Sequence, residues 1–218
     1  MAAGEPARQG GGAVHVKICG ITCVEDAELA IAAGASSIGL NFVPGTPRAV
    51  DVETARRIVE RVAGRALVVA VTADLPLDAI VALRDATGVG CVQLHGDEPP
   101  EVVRALLPHA YRALRVGGPA DVAAAEAIPG EHLLVDAKVP GQRGGTGARV
   151  DWDLVAPLAR TRRLTLAGGL NADNVAEAIA RVRPYAVDVA SGVEREGDPR
   201  RKDAAKVEAF CRAVRGAS

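Results

Sequence analysis

The residues best placed to do chemistry lie between positions 132 and 153, in the stretch HLLVDAKVPGQRGGTGARVDWD. A short apolar run ends there on Asp136, and a loop with glycines at positions 141, 144, 145 and 147 follows. A buried strand that delivers a carboxylate at its C-terminal end is the usual location of a catalytic group in α/β barrels. The loop is longer than most strand–helix connections, as is typical of binding loops and lids. The stretch therefore favours a catalytic carboxylate, although an Asp that caps a turn beside a solvated loop fits the same pattern.

Two pairs of small residues indicate an anion site. Gly168-Gly169 follows the seventh predicted strand, and Ser191-Gly192 follows the eighth. Glycine permits close approach to the backbone, so several N–H groups can point at one anion. Barrel enzymes often bind a phosphate at these strand ends, and we expect a short helix over 196–201 whose N-terminus faces the same anion. The pattern predicts phosphate binding, although many Gly-Gly pairs only mark turns.

Strand alternation places Lys17 and Cys19 on the same side of the first predicted strand, because they are two residues apart. In a closed barrel the first strand neighbours the eighth, which carries Asp188. An inward-facing lysine without a counter-ion would be costly, so we expect Lys17 to pair with Asp188. The alternative, in which Lys17 points outward into the helix layer, is disfavoured because that layer is largely apolar.

Eight short β-rich runs supply the strands that would carry these groups, and longer segments with helical spacing separate them. The predicted strands are 14–19, 37–41, 67–71, 89–94, 111–116, 133–136, 164–167 and 186–190. Strands and helices that alternate in this way predict an α/β fold, a single (β/α)8 TIM barrel. A doubly wound open sheet is the competing architecture.

Several helix starts are legible in the sequence. Thr22 with Glu25 three residues later predicts a capping box, and Asp51 and Asn171 each precede a helical segment. The predicted helices include 52–62, 120–128, 172–181 and 202–215.

Composition places the chain among ordinary globular proteins. It has 218 residues, 49% apolar and 24% charged, and a formal net charge of −1. Neither nucleic acid nor a membrane is therefore an expected partner. Residues 1–13 predict a flexible N-terminal extension, and 14–218 predict one barrel domain. The scattered cysteines and the lack of a signal-peptide layout favour a reduced, cytoplasmic protein, either a monomer or a homodimer.

Five motifs, in order along the chain, resemble those of the phosphoribosylanthranilate isomerase family of tryptophan biosynthesis. They are VKICGIT at 16–22, QLHGDE at 93–98, VD at 135–136 with GGTG at 144–147 and DW at 151–152, LAGGL at 166–170, and VDVASGVE at 187–194. The resemblance implies a (β/α)8 barrel that needs no cofactor and no metal. It also implies a small phosphorylated substrate, N-(5-phosphoribosyl)anthranilate, which is converted to a 1-deoxyribulose phosphate by an Amadori rearrangement.

The resemblance also implies roles for individual residues. Cys19 matches the general base, Asp136 the general acid, and Arg48 the arginine that holds the anthranilate carboxylate. We count three further residues as substrate-binding, namely Lys17, Asp188 and His95, with a loop-capping role as the alternative for His95. The expected phosphate-binding residues are Gly145, Gly168, Gly169, Ser191 and Gly192. Many relatives have Ser where this chain has Ala190, which removes one hydroxyl contact to the phosphate.

The implied chemistry requires two shifted pKa values. At neutral pH an unperturbed cysteine is mostly thiol and an unperturbed aspartate is almost entirely ionised. We therefore expect the site to lower the pKa of Cys19, through Lys17 or the following helix. We expect desolvation to raise the pKa of Asp136. A buried, unreactive core thiol is the alternative for Cys19.

Two other functions fit a barrel of this kind. One is another ribose-phosphate enzyme, but the related histidine-pathway isomerase is expected to have Asp in place of Cys19, and a metal-dependent epimerase needs His and Asp ligands that the motifs lack. The other is an inactive barrel that binds a phosphorylated metabolite, which joint retention of Cys19, Asp136 and Arg48 disfavours. The charged run near the C-terminus is predicted to be solvated: Arg200, Arg201 and Lys202.

Overall fold

The computed structural model describes residues 13–138 and 149–217. Eight parallel strands form a closed barrel in chain order, with the eighth strand hydrogen-bonded to the first. The strands are β1 His15–Cys19, β2 Ser37–Asn41, β3 Leu67–Thr72, β4 Cys91–Leu94, β5 Ala110–Val116, β6 His132–Ala137, β7 Arg163–Leu166 and β8 Ala186–Val189. The predicted (β/α)8 barrel is therefore confirmed, and the open-sheet alternative is wrong.

Helices follow the strands and pack around the barrel. They are α1 Val24–Ala32, α2 Val52–Val62, α3 Leu77–Thr87, α4 Pro100–Leu106, α5 Pro119–Ala124, α6 Trp152–Val155, α7 Val175–Val182 and α8 Ala204–Ala217. Short 3-10 segments lie at Ala125–Ala127, Ala156–Arg160 and Ser191–Val193, and a hairpin of β9 Glu194–Arg195 and β10 Asp198–Lys202 precedes α8. Within the described part of the chain, no helix has both the length and the apolar character needed to cross a membrane.

Strand alternation divides the core into two clusters. The larger cluster joins one face of the strands to the helices, with Ile18, Ile38 and Leu94 among its fully buried side chains. The smaller cluster contains strand residues and one residue directly after a strand, and lies inside the barrel: Val69, Cys91, Tyr111, Ala113, Leu134 and Ala167. Because both faces of each strand are covered, the strands read as short apolar runs, which explains how the sequence located them.

The helix starts show where local signals hold and where they fail. α2 has the predicted bounds, and the Asp51 side chain caps it by accepting a hydrogen bond from the Thr54 N–H at 2.7 Å. The capping box at Thr22 is wrong. The N-cap of α1 is Cys23, and the Thr22 hydroxyl donates instead to the carbonyl of Arg200, so a tertiary partner has replaced the local one.

The C-terminal part of the chain departs most from the prediction. The expected helix at 196–201 is wrong, because this segment forms the β9–β10 hairpin, and the last helix begins at Ala204 rather than at 202. α7 begins at Val175 because the Asn171 side chain accepts from the N–H groups of Asp173 and Asn174, at 2.9 and 3.1 Å, and holds a turn. The predicted helix 120–128 divides into α5 and a 3-10 turn.

Candidate active site

Cys19 and Asp136 lie at the same end of the barrel. Cys19 is the last residue of β1, and Asp136 is the last but one of β6. Because neighbouring strands are parallel, both residues face the C-terminal mouth. Asp136 is 7% exposed, and Cys19 is partly exposed. The predicted location of both groups at this mouth is confirmed.

A buried ion pair lies between the two groups and the barrel interior. Lys17 and Asp188 are register partners on β1 and β8, and the Lys17 Nζ lies 2.9 Å from Asp188 Oδ2. Burial is the largest single effect on Lys17 and would lower its pKa, but the opposing attractions, of which Asp188 is the strongest, together hold that pKa above its usual value. Lys17 is therefore a permanent cation inside the barrel, and the predicted pairing is confirmed.

Gly39 provides the space that Cys19 and Lys17 occupy. It is the register partner of Cys19 on β2. A Cβ atom on Gly39 would lie 2.7 Å from Cys19 Sγ, closer than packed atoms allow, and 3.1 Å from Lys17 Nζ, which is a tight contact. Sequence reasoning did not select this residue, although a glycine inside a strand is a known signal of close approach by another group.

Burial raises the pKa of the Cys19 thiol, and the nearby Lys17 cation offsets this only in part. The expectation of a lowered pKa for Cys19 is wrong. Lys17 is already committed to Asp188, whose negative charge also acts on the thiol and raises its pKa further. Cys19 is consequently a thiol at neutral pH.

Burial also raises the pKa of Asp136, to about 6, against the opposing effect of the Ala137 N–H. That N–H donates to Asp136 Oδ1 at 2.8 Å. The negative charge of Asp188 adds to the increase in the pKa. The expected direction is confirmed, and about a tenth of the carboxyl groups carry a proton at pH 7.

His95 lies beside Asp136, with its Nε2 3.7 Å from Asp136 Oδ2. Tyr111 donates to Gln93 Oε1 at 3.1 Å, so the Gln93 amide nitrogen faces His95 Nδ1 at 2.8 Å and donates to it. This orientation places the ring proton on Nε2, which is buried and has no hydrogen-bond partner among the described residues. Burial, with Lys17, lowers the pKa of His95 to about 4, so the ring is neutral. Sequence reasoning missed the orienting roles of Gln93 and Tyr111.

Arg48 lies against the end of β1. Its Cδ occupies the place where a side chain on Gly20 would begin, since a Cβ there would lie 2.6 Å away, and Gly20 has a φ of +74°. The guanidinium makes two hydrogen bonds to Glu194, from Nε to Oε1 at 2.6 Å and from Nη2 to Oε2 at 3.0 Å. The structure therefore brings Arg48 next to Cys19, on a carboxylate that sequence reasoning did not select.

Lys202 is fully buried, so the prediction of a solvated charge is wrong for this residue. Its Nζ lies 3.1 Å from Glu194 Oε1 and 3.3 Å from the carbonyl oxygen of Ala190. Burial lowers the pKa of Lys202. Nothing in the local sequence distinguishes Lys202 from its exposed neighbour Arg200, because only the hairpin turns one inward and the other outward.

The two predicted phosphate loops lie side by side at the mouth. Gly168 and Gly169 have φ values of +88° and +62°, and their N–H groups meet no acceptor within the described residues. A Cβ on Gly192 would collide with the carbonyl oxygen of Leu170, so the loops pack backbone to backbone. Ser191 begins the 3-10 turn there. The other predicted phosphate residue, Gly145, lies outside the described residues.

A parallel (β/α)8 barrel with a thiol, a carboxyl group and buried cations at its C-terminal mouth defines a barrel enzyme whose active site lies at that face. The chain matches the family model of N-(5'-phosphoribosyl)anthranilate (PRA) isomerase over residues 16–213. A curated relative, the N-(5'-phosphoribosyl)anthranilate isomerase of Stutzerimonas stutzeri, is 46% identical over 204 residues, which cover 93% of this chain and 97% of that protein. The chain therefore belongs to the N-(5'-phosphoribosyl)anthranilate isomerase family.

Solved structures agree with this membership. A PRA isomerase in complex with reduced 1-(o-carboxyphenylamino)-1-deoxyribulose 5-phosphate has a TM-score of 0.82 and 34% identity, covering 93% of this chain and 99% of that one. A structure described as mutually generated monomers of the dimeric isomerase from Thermotoga maritima has a TM-score of 0.81 and 35% identity, again covering 93% and 99%. The chain shares its barrel, as well as its sequence, with these isomerases.

Proposed function

We propose that the chain catalyses the Amadori rearrangement of N-(5-phosphoribosyl)anthranilate to 1-(2-carboxyphenylamino)-1-deoxyribulose 5-phosphate, a step of tryptophan biosynthesis. Cys19 acts as the general base and Asp136 as the general acid. One observation carries the proposal: a thiol and a carboxyl group with a raised pKa lie at the same mouth, beside the same buried Lys17–Asp188 pair.

Asp136 opens the ribose ring. Its proton passes to the furanose oxygen while the lone pair of the anilino nitrogen forms a double bond to C1′ and the C1′–O bond breaks. The products of this step are an iminium ion, a free hydroxyl group and the Asp136 carboxylate. The neutral His95 ring, with Nε2 3.7 Å from that carboxylate, is placed to donate a hydrogen bond to it.

Cys19 completes the rearrangement. Its thiolate takes the proton from C2′, the C2′–H electron pair forms a C1′–C2′ double bond, and the iminium electrons return to nitrogen. The resulting enol-amine tautomerises to the keto-amine product. Because the Cys19 pKa is raised, the thiolate is a minor species, and Lys17 supplies the nearby positive charge that makes it accessible.

The ends of the substrate have separate anchors in this proposal. The phosphate lies on the N–H groups of Gly168-Gly169 and Ser191-Gly192, with Gly145 as a further contact. The anthranilate carboxylate lies on Arg48, the cation beside the end of β1. Lys17, Asp188 and His95 line the space between the two anchors.

The decisive experiment follows the loss of substrate fluorescence after adding purified protein to N-(5-phosphoribosyl)anthranilate. We expect turnover at a rate proportional to protein concentration and unchanged by a chelator, since the proposal uses no metal or other cofactor. No turnover would reject the activity, and loss of turnover on chelation would reject the cofactor-free mechanism. We also propose a cytoplasmic monomer or homodimer.

A further inference from the structure

Glu194 connects three cations at the mouth of the barrel. Its carboxylate binds the Arg48 guanidinium through two hydrogen bonds and the Lys202 ammonium through one, at 2.6, 3.0 and 3.1 Å. Its backbone carbonyl accepts from Lys206 Nζ at 2.9 Å. The Glu194 side chain is only 9% exposed, so these bonds form largely away from water. Four contacts to one residue fix its position more firmly than a surface ion pair would.

The geometry of the Arg48–Glu194 contact leaves one edge of the guanidinium unused. A guanidinium presents two forked edges that each match a carboxylate, one formed by Nε and Nη2 and the other by Nη1 and Nη2. Glu194 occupies the first edge. Among the described residues, no acceptor meets Nη1. A second carboxylate can therefore bind the Nη1/Nη2 edge of Arg48 while Glu194 remains bound to the Nε/Nη2 edge.

We infer that Glu194 is a positioning residue that turns the free edge of Arg48 toward the substrate and so sets the preference for a carboxylate on the aromatic ring. The inference rests on the proposed role of Arg48. An arginine on a flexible stem must be ordered before it can bind two oxygens at once, and Glu194 does this ordering in advance.

Lys202 is a second partner of the Glu194 carboxylate. The fully buried ammonium binds both the Glu194 carboxylate and the carbonyl of Ala190, the residue directly before Ser191. Glu194 is thus tied to the loop proposed to hold the phosphate as well as to Arg48.

The test compares two substrates, N-(5-phosphoribosyl)anthranilate and the analogue without the carboxylate, N-(5-phosphoribosyl)aniline. The measured quantity is the ratio of their KM values. A charge-assisted contact predicts that the unmodified protein prefers the carboxylated substrate by about 10- to 100-fold. Arg48→Ala should bring the ratio close to one. Glu194→Ala should lower the ratio at least about tenfold, and Arg48→Ala with Glu194→Ala should lower it no further than Arg48→Ala does.

The controls separate positioning from folding. Glu194→Ala leaves a buried ammonium unpaired, so Glu194→Ala combined with Lys202→Met, which removes both charges, must show the same low ratio. Lys202→Met alone retains the Arg48–Glu194 contact and should keep most of the preference. An unchanged ratio in folded Glu194→Ala overturns the inference and leaves the proposed function standing. An unchanged ratio in Arg48→Ala rejects the proposed role of Arg48, and the inference with it.

Discussion

The two groups proposed to react lie at the same mouth of the barrel, but the charges around them are balanced differently. Cys19 lies beside a complete ion pair, because the Lys17 Nζ sits 2.9 Å from Asp188 in the interior next to the thiol. The cation nearest the base is therefore already neutralised in part. The thiol keeps a raised pKa even with a lysine at its side.

Among the residues that the structure describes, Asp136 has no ion pair of this kind. Its neighbour His95 is neutral, and the backbone N–H of Ala137 is the donor to its carboxylate. Burial therefore dominates and raises the pKa of Asp136 to about 6. The same desolvation raises both pKa values, which favours the proposed acid, Asp136, and opposes the ionisation of the proposed base, Cys19. Exclusion of water is enough to raise the pKa of a carboxyl group and keep its proton, whereas a thiolate forms only when a positive charge lies nearby.

The largest effects should come from removing either reacting group. Cys19→Ser replaces the thiolate by a far weaker base, and Asp136→Asn cannot donate the acid's proton. Each should lower kcat by about 10²- to 10⁴-fold with little change in KM, because both act on the chemical step. Steady-state kinetics with the fluorescent substrate measures this. A near-normal kcat in Cys19→Ser would return that residue to the role of a core thiol.

Removing the negative charge of Asp136 and removing that of Asp188 should change the free energy of unfolding in opposite directions. The pKa of Asp136 is about 6 in the folded protein, compared with about 3.9 in the unfolded chain. At pH 8 the ionisation of Asp136 therefore lowers the free energy of unfolding by roughly 3 kcal/mol. The cost is absent below about pH 4 and grows as the pH rises toward 6. Asp136→Asn should therefore raise the free energy of unfolding at pH 8 relative to its effect at pH 3.5.

Asp188→Asn is the matched control for this comparison. It leaves Lys17 buried without its counter-ion, so it should lower the free energy of unfolding by about 3 to 5 kcal/mol at pH 8. Urea denaturation of both variants at the two pH values gives the numbers. If both variants are destabilised to the same extent at pH 8, the contrast between the paired and the unpaired carboxylate does not hold.

Gly39→Ala should displace the Cys19 thiol and lower kcat, and it should leave Asp136 unchanged. The added methyl group would lie 2.7 Å from Cys19 Sγ, so the thiol must move. A displacement of about 1 Å in a reacting group costs on the order of 100-fold in rate. The pKa of Asp136, followed by carboxyl NMR, should stay near its value in the unmodified protein. A variant with unchanged kcat would mean that Cys19 does not need this position.

The pH profile should show a flat region. Below about pH 6 Asp136 is mostly protonated, so kcat falls tenfold for each unit of decrease in pH as the thiolate is lost. Between pH 6 and the raised pKa of Cys19, the gain in thiolate and the loss of acid cancel. Above the Cys19 pKa, kcat falls again as Asp136 loses its proton. In Asp136→Asn the residual kcat should instead rise up to the pKa of Cys19. A narrow peak near pH 7 in the unmodified protein would mean that the two pKa values lie close together, and would contradict the wide separation expected here.

Much of the fold was accessible from the sequence because its signals are local. The predicted strand over 37–41 and the predicted helix Val52–Val62 have the observed bounds. Apolar runs and an N-cap aspartate determine the structure of residues that lie within a few positions of them in the sequence. One failure occurred where a distant group competes, at Thr22, whose hydroxyl donates to the carbonyl of Arg200 and not to its own helix.

In the candidate site, too, some features could be predicted from local sequence signals and others depend on distant residues. Parallel strands end at one face of the barrel, so the sequence by itself determined that Cys19 and Asp136 lie at the same mouth and that Lys17 pairs with Asp188. The pKa of Cys19 and the burial of Lys202 were decided only by the tertiary structure. Both depend on how much water is excluded and on which charge lies nearest, quantities set by residues far apart in the chain. Spacing along a strand gives the direction of a side chain, but it does not give the surroundings into which that side chain points.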